Sequence, residues 1–396
     1  MFGYIKNIFQ KKGFSPRQVP MSWVFVDSTK STLPPVIGGV ITIDSNKTYV
    51  FTGAVDLEGA RLVFTDIATV IGTSSETSYL TSTGLGIGVP LITTTKTLAL
   101  RHITIHDIDT AFNIDGLAAL DWTGVNINNC PNVGMFNNFS NFIFSKGVLL
   151  NSKNLIIDGV FGTVGIDNSL LMGDGLVGDI IKVLSTATSN RRIRIDTTAV
   201  VAYGGTSGIN VEAGATILPE AFILDNVNFS GGGTPLGGID YVDNRTLFTR
   251  CIGITNTRAF GFYYILNNAT PTTFSAVGTP TKILGTTTAG AGSQKFLFSD
   301  NRATYTGAIG RSFIVRSVVS ITSNSNNDEI SIYVALNGVI LAESVSQMTT
   351  NNNFRAENVS IQSPVMFTEN DYIEIWAENT QDSSPITVTF LNTIIE

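Results

Sequence analysis

The feature that most restricts this chain is a rhythm. Short apolar segments close on Asp44, Asp66, Asp107, Asn129, Asn151, Asp174 and Asp196, in steps of 22, 41, 22, 22, 23 and 22 along the chain, the step of 41 counting as two turns. A step that regular means one small unit stacked many times, because such a unit buries its apolar side only against the next copy. A second series, Asp115, Asn137, Asp158, Gly204 and Asp225, advances by 22, 21, 46 and 21. Each unit therefore holds at least two strands, and each strand is closed by a residue type that tolerates left-handed backbone or bonds to its own backbone. LIIDGVFGTVG from Leu155 and FILDNVNFSGG from Phe222 repeat the same pattern three turns apart.

Within the segments apolar residues fall at i and i+2, as in Ile103/Ile105 and Val125/Ile127, which is the period of a strand. The Leu-x-x-Leu-x-Leu-x-x-Asn pattern of leucine-rich repeats is missing, and no repeat segment reads as a long amphipathic helix. The expected fold is all-β: a right-handed parallel β-helix with three short strands per coil. From Asp44 to about Thr257 there is room for roughly ten coils, or a stack of about 45–50 Å at ordinary strand spacing.

After about Arg258 the pattern changes. Thr279–Leu284, Ser312–Ile321, Glu329–Leu336, Val339–Glu343, Ala356–Ile361, Tyr372–Glu378 and Ile386–Leu391 read as strands, and Asn337-Gly338 is a strong hairpin signal. That many strands in so short a stretch imply an antiparallel sandwich or jelly roll. The run Thr286–Gly292 reads as a loop. The expected division is an arm and linker over 1–36, the β-helix over 37–258 and the jelly roll over 259–396.

In the arm, Phe2, Ile5, Ile8 and Phe9 share one face at helical spacing, and Lys11 and Lys12 occupy the last turn before Gly13. This reads as a peptide that inserts into another protein. Packing on the chain's own β-helix and lying in a membrane interface are the other two readings. From Ser15 to Pro35 the chain is linker-like apart from a short strand at Trp23–Val26.

Charged residues make up only 14% of the chain against 43% apolar, with 38 glycines, which suits a rigid all-β extracellular or virion protein and not a disordered one. A net charge of −7 argues against a nucleic-acid partner. No stretch is long and apolar enough to span a membrane. Two cysteines, Cys130 and Cys251, are too few for a disulfide scaffold and read as buried thiols. The opening MFGYIKNIFQKKG is a poor secretion signal. A protein that survives outside a cell on these terms is expected to assemble in the cytoplasm and leave by lysis.

Candidate chemistry is sparse. Asp107 and Asp109, about 7 Å apart if on one strand, have the separation a glycosidase needs, but Asp107 belongs to the turn series and should stack on Asn129. His102 and His106 should both face outward, about 13 Å apart, too far for one zinc ion. Arg191-Arg192-Ile193-Arg194 is the densest basic cluster; it suits an acidic sugar, a neighbouring subunit's carboxylates or plain solvent. The glycine runs Gly231–Gly233 and Gly237-Gly238 lack a following Lys-Ser/Thr and read as loops, not phosphate cradles. No cofactor and no metal is expected.

The segments TPTKILGTTTAG from Thr279, RATYTGAIGRSFIVRSVVSITS, ISIYVALNGVILAES, RAENVSIQ and NDYIEIWAEN are similar to a jelly-roll module that ends many bacteriophage spike and fibre proteins, and to the tumour-necrosis-factor-like fold. WVFVDS at Trp23, IGTSSETSYLTSTGLG at Ile71 and NFSGGGTPLGGID at Asn228 resemble phage proteins with pectate-lyase-like β-helices. The resemblance covers nearly the whole chain. It implies a virion protein assembled in the host cytoplasm: a homotrimeric tailspike, tail fibre, head fibre or capsid decoration. It would be docked to other virion proteins by the arm, with the jelly roll as trimerisation or attachment head toward a host glycan or receptor. It also implies the alternative of a polysaccharide depolymerase. The calcium-binding aspartate cluster of pectate lyases and the paired aspartates with Gly-His-Gly of polygalacturonases are not seen, so a non-catalytic role is expected.

Overall fold

A computed structural model describes residues 22–396 apart from 44–46, 117, 174–176, 240–243, 256, 324, 326 and 351–355. The described chain is all-β, with a single 3-10 turn at Ala342–Ser344. It forms two compact units, one running to Ile239 with Arg250–Thr255 and the other comprising Asp240–Thr249 and Asn256–Glu396.

The first unit is a parallel β-helix. Each coil lays one strand on each of three sheets: Leu98–Arg101 on the first face, Thr104–His106 on the second, Thr110–Asp115 on the third, then Ala119–Thr123 on the first again. The third face holds nine strands, from Val40–Ile43 to Thr234–Gly237, so the stack has about nine coils. All pairing between coils is parallel; Ile105, for example, faces Ile127, which faces Leu149. These three side chains point inward and are fully buried. Beside them lies a column of rings: Phe112 and Trp122 are 4.4 Å apart, Trp122 and Phe142 5.1 Å, and Phe136 and Phe142 5.0 Å. Burying each such ring contributes about 2–3 kcal/mol.

Corners are set by left-handed residues. Between the first and second faces His102, Gly124, Lys146, Asn168, Thr197 and Asn226 have φ of 51°, 63°, 54°, 48°, 46° and 55°. The first five donate their backbone N–H to the carbonyl of Thr123, Ser145, Asp167, Asp196 and Asp225 in the next coil. Between the second and third faces the same conformation falls on Asp107, Asn129 and Asn151, at 54°, 54° and 50°. Here the side chains stack: Asn129 Nδ2 donates to Asp107 Oδ1 at 3.0 Å, and Asn151 Nδ2 to Asn129 Oδ1 at 3.1 Å. Further amide links join Asn154 to Asn132 at 2.7 Å and Asn138 to Asp115 at 3.2 Å.

The turn series expected from sequence is one ladder only over Asp107, Asn129 and Asn151. Asp66 follows a third-face strand, Arg61–Phe64. Asp196 ends a first-face strand, in register with Asp167 and Asp225. Asp44 and Asp174 lie outside the described residues. The even step survives this change of corner because coil length is not constant. First-face register pairs Ala99 with Asp121, Asp121 with Ile143 and Ile143 with Gly165, which are coils of equal length. It also pairs Thr69 with Ala99 and Gly165 with Arg194, and both of those coils are longer.

The second unit contains two antiparallel sheets. One orders Gly261–Leu266, Ile386–Ile395, Arg311–Ser323 and Glu357–Phe367; the other orders Phe296–Ser299, Arg302–Tyr305, Tyr372–Asn379 and Glu329–Leu336. A shared core of Tyr263, Val315, Val319, Ile332, Ile375 and Leu391, among others, joins them. The Asn337-Gly338 hairpin forms as expected: both residues have positive φ, 52° and 76°, and Leu336 pairs with Val339. The expected strand Thr279–Leu284 shrinks to Thr281–Lys282, and the expected loop Thr286–Gly292 contains the short strand Thr288–Ala289.

Candidate functional site

The arm residues Phe2, Ile5, Ile8, Phe9, Lys11 and Lys12 lie outside the described residues. The remaining candidates fall on three parts of the molecule.

Asp107 and Asp109 flank a cleft of about 320 Å³ walled by Thr81–Gly86 and His106–Asp109. Ile108 between them points inward and is 3% exposed, which leaves the two carboxylates outside. Asp107 accepts from Asn129 at 3.0 Å and pairs with His106 Nδ1 at 2.8 Å. The Asn129 amide first, and His106 second, hold its carboxyl below the usual range. A general acid at neutral pH requires the opposite shift. Asp109 Oδ2 accepts from the Gly88 backbone N–H at 2.8 Å and the Thr110 hydroxyl at 3.1 Å, so it anchors the glycine-rich loop. His106 packs edge-on against Tyr79, centroids 5.3 Å apart. His102 is exposed, at a left-handed corner and not on the strand. Partial desolvation, then Arg101 and Lys146, lower its pKa. Among the described residues no group of three or more His, Cys, Asp or Glu has the geometry to hold a metal ion.

The Arg191–Arg194 cluster divides. Arg194 is neutralised by Asp196 at 2.8 Å and Asp225 at 3.8 Å. Arg191 and Arg192 stand exposed on a β-bulge that the sequence did not announce. Of the glycine runs, Gly231–Gly233 turns the corner after Asn228–Ser230, whereas Gly237 closes the strand Thr234–Gly237.

A third feature was missed altogether. On the second face the flanking residues of the three-residue strands from Asn126–Asn128 to Asn228–Ser230 point outward. They are polar in Asn126–Asn128 and in Asn228–Ser230, yet apolar in the coils between: Val148 and Leu150, Leu170 and Met172, Ala199 and Val201. The exposed Tyr203 follows closely, so the strip is a bounded apolar patch on an otherwise polar face. Its signal was available as three strands, VLL, LLM and AVV, with no alternation. The sandwich has a comparable surface. Val318, Met366 and Leu266, 44%, 58% and 58% exposed, share the outer side of one sheet with the partly exposed Ile314, Ile394 and Phe390.

In the second unit Glu374 is buried between Lys282 at 3.0 Å and Arg302 at 2.8 Å and accepts from Trp376 Nε1 at 3.1 Å. Burial pushes its pKa up, but the bonds from Arg302, Lys282 and Trp376 outweigh it and hold the carboxyl ionised. Arg302 also lies 3.9 Å over the Tyr372 ring. This closed cluster staples three strands together, Thr281–Lys282 and Arg302–Tyr305 to Tyr372–Asn379.

No family model matches the chain, and no curated protein matches it. Solved structures give loose likenesses. Murine APRIL, at 11% identity and TM-score 0.24, aligns over 34% of this chain and 98% of its own. The enzymatically active domain of tailspike protein 4 of bacteriophage CBA120, at 12% and 0.25, aligns over 92% and 67%. That of tailspike protein 2 of the same phage, at 8% and 0.22, aligns over 93% and 74%. Superpositions this loose carry no functional weight.

Proposed function

We propose that this chain is a structural protein of a bacteriophage particle: a homotrimeric spike or fibre, docked through Phe2, Ile5, Ile8, Phe9, Lys11 and Lys12, with the β-helix as spacer and the sandwich as trimer-holding, host-facing head. The observation that carries this reading is the apolar strip of Val148, Leu150, Leu170, Met172 and Val201 on the second face. A lone soluble β-helix gains nothing from it, whereas neighbouring copies would bury it against each other. The outer surface of the sandwich sheet supports the same assembly. A stack sewn together by amide ladders is a stiff spacer, which is what a spike requires.

Light scattering on the full chain tests it. The expected mass is three times that of the monomer, and Leu170→Asp with Met172→Asp should lower it while leaving the circular dichroism of the fold intact. A monomeric wild type refutes the assembly. Deleting residues 1–20 should give a folded trimer that no longer joins the particle; normal incorporation would remove the docking role. The depolymerase reading predicts sugar release from host polysaccharide that disappears in Asp107→Asn and Asp109→Asn. The lowered pKa of Asp107 favours the structural role.

A further inference from the structure

We propose that the first face of the β-helix carries a binding cleft for a carboxylate-bearing sugar, built by the β-bulge at Ser189–Arg192.

The bulge is explicit in the register. Phe161 pairs with Ser189 and Thr163 with Arg192, so Gly162 alone faces both Asn190 and Arg191. Strand alternation would turn one of three consecutive residues inward. Here Asn190, Arg191 and Arg192 are all exposed. Bulges redirect side chains in this way and are costly to keep without a purpose. Three other arginines of this unit are matched, Arg101 to Asp121, Arg194 to Asp196 and Arg250 to Asp225, whereas among the described residues Arg61 is not. Arg191 and Arg192 have no ion-pair partner among the described residues, on a chain whose net charge is −7.

Beside them is a cleft of about 510 Å³ crossing three coils, lined by Ser140, Asn141, Gly162, Thr163, Asn190 and Arg191 among others. Its size lies in the range of small-ligand sites. At its floor Gly162 lets two coils pack closely, because a Cβ there would lie 2.0 Å from the Ser140 carbonyl oxygen. Hydroxyls and side-chain amides match sugar hydroxyls, and Val160 at the edge, 49% exposed, offers an apolar surface to a sugar C–H face. A guanidinium fork binds a carboxylate through two parallel hydrogen bonds. A neutral sugar would leave the Arg191 guanidinium unmatched. This inference is independent of the assembly role: binding can fail in an intact trimer, and a monomer can still bind.

The test titrates hexagalacturonate into the full-length protein by calorimetry at low salt. Binding is expected, to weaken with added salt and to be absent for neutral maltohexaose. Arg191→Ala should weaken it about ten-fold, and Lys96→Ala, an exposed charge elsewhere, should not. No binding, equal binding of maltohexaose, or equal loss in Lys96→Ala overturns the proposal. Acetate competing as well as the oligomer at equal carboxylate concentration overturns the sugar assignment. An Arg191→Ala variant that alters the solution mass but not binding assigns Arg191 to a subunit contact instead.

Discussion

Asn129 holds the middle rung of the corner ladder, and replacing it separates what side chain and backbone contribute. Asn129→Ala removes the bond to Asp107 at 3.0 Å and the bond from Asn151 at 3.1 Å. Each is worth about 0.5–1 kcal/mol at an exposed position. Alanine must also adopt φ near 54°, which costs about 1 kcal/mol for a residue without a local polar group. The expected loss is about 2–3 kcal/mol. Asn129→Gly forfeits the same bonds but is at ease in the left-handed region, offset in part by a looser unfolded chain, so its loss should be nearer about 1–2 kcal/mol. The pH dependence follows from the same contact. Asn129, then His106, lower the pKa of Asp107 in the folded state. A lowered folded pKa contributes stability above the unfolded value of about 3.9, lost as pH falls through the folded value. Removing Asn129 removes the largest cause, so the gap between wild type and Asn129→Ala should narrow from pH 7 to pH 3. Urea unfolding at both pH values, followed by the fluorescence of the buried Trp122, measures this. Equal losses for Ala and Gly, or a gap unchanged at pH 3, would refute the reasoning.

Gly162→Ala places a methyl 2.0 Å from the Ser140 carbonyl and should cost at least about 3 kcal/mol, because two coils must separate; a thermal shift of only a degree or two would contradict it. The Cys130 thiol is buried and burial pushes its pKa up to about 12, so iodoacetamide at pH 8 should leave it unmodified in native protein and label it in urea, read by mass spectrometry. Glu374→Gln leaves Lys282 and Arg302 facing a neutral amide and should cost about 3–5 kcal/mol, whereas Glu374→Leu combined with Lys282→Met should recover part of the loss. Because the folded pKa of Glu374 is depressed, its contribution should also fade as the solution is acidified through that pKa, which acid unfolding of wild type against Glu374→Gln would show.

The coil architecture was legible because some chemistry repeats where coils are equal in length. Asp107, Asn129 and Asn151 are spaced evenly because each bonds the next, and Ile105 and Ile127 alternate because each fills the same interior. Where coils lengthen, as between Gly165 and Arg194, the even step carried the reading from one corner to another. The sandwich strand Gly261–Leu266 escaped notice for a different reason. Phe262 and Tyr264 on its outer side are as apolar as Tyr263 and Ile265 inside, so no alternation betrays it. Asn337-Gly338, by contrast, needs only two residues to dictate a turn, and the turn forms.

The sites follow the same logic one level higher. In a stacked coil a side chain's direction depends on register with the coils above and below, so one inserted residue reverses it without changing composition. Strict alternation through Arg191, Arg192, Ile193 and Arg194 turns Arg191 inward with Ile193; the bulge turns it out. Sequence therefore identified the cluster but not which of its members are free, since one partner of Arg194 sits two residues on in its own strand and the other, Asp225, comes from the next coil. The apolar strip inverts the case: its residues were in plain view, but their outward direction was not. Because outward positions of the neighbouring coils are asparagine and serine, departure from that rule, and not residue type, is what sets these places apart on the β-helix. Asp107 obeys the rule, spending both carboxylate oxygens on its own corner, while Arg191 and Leu170 break it.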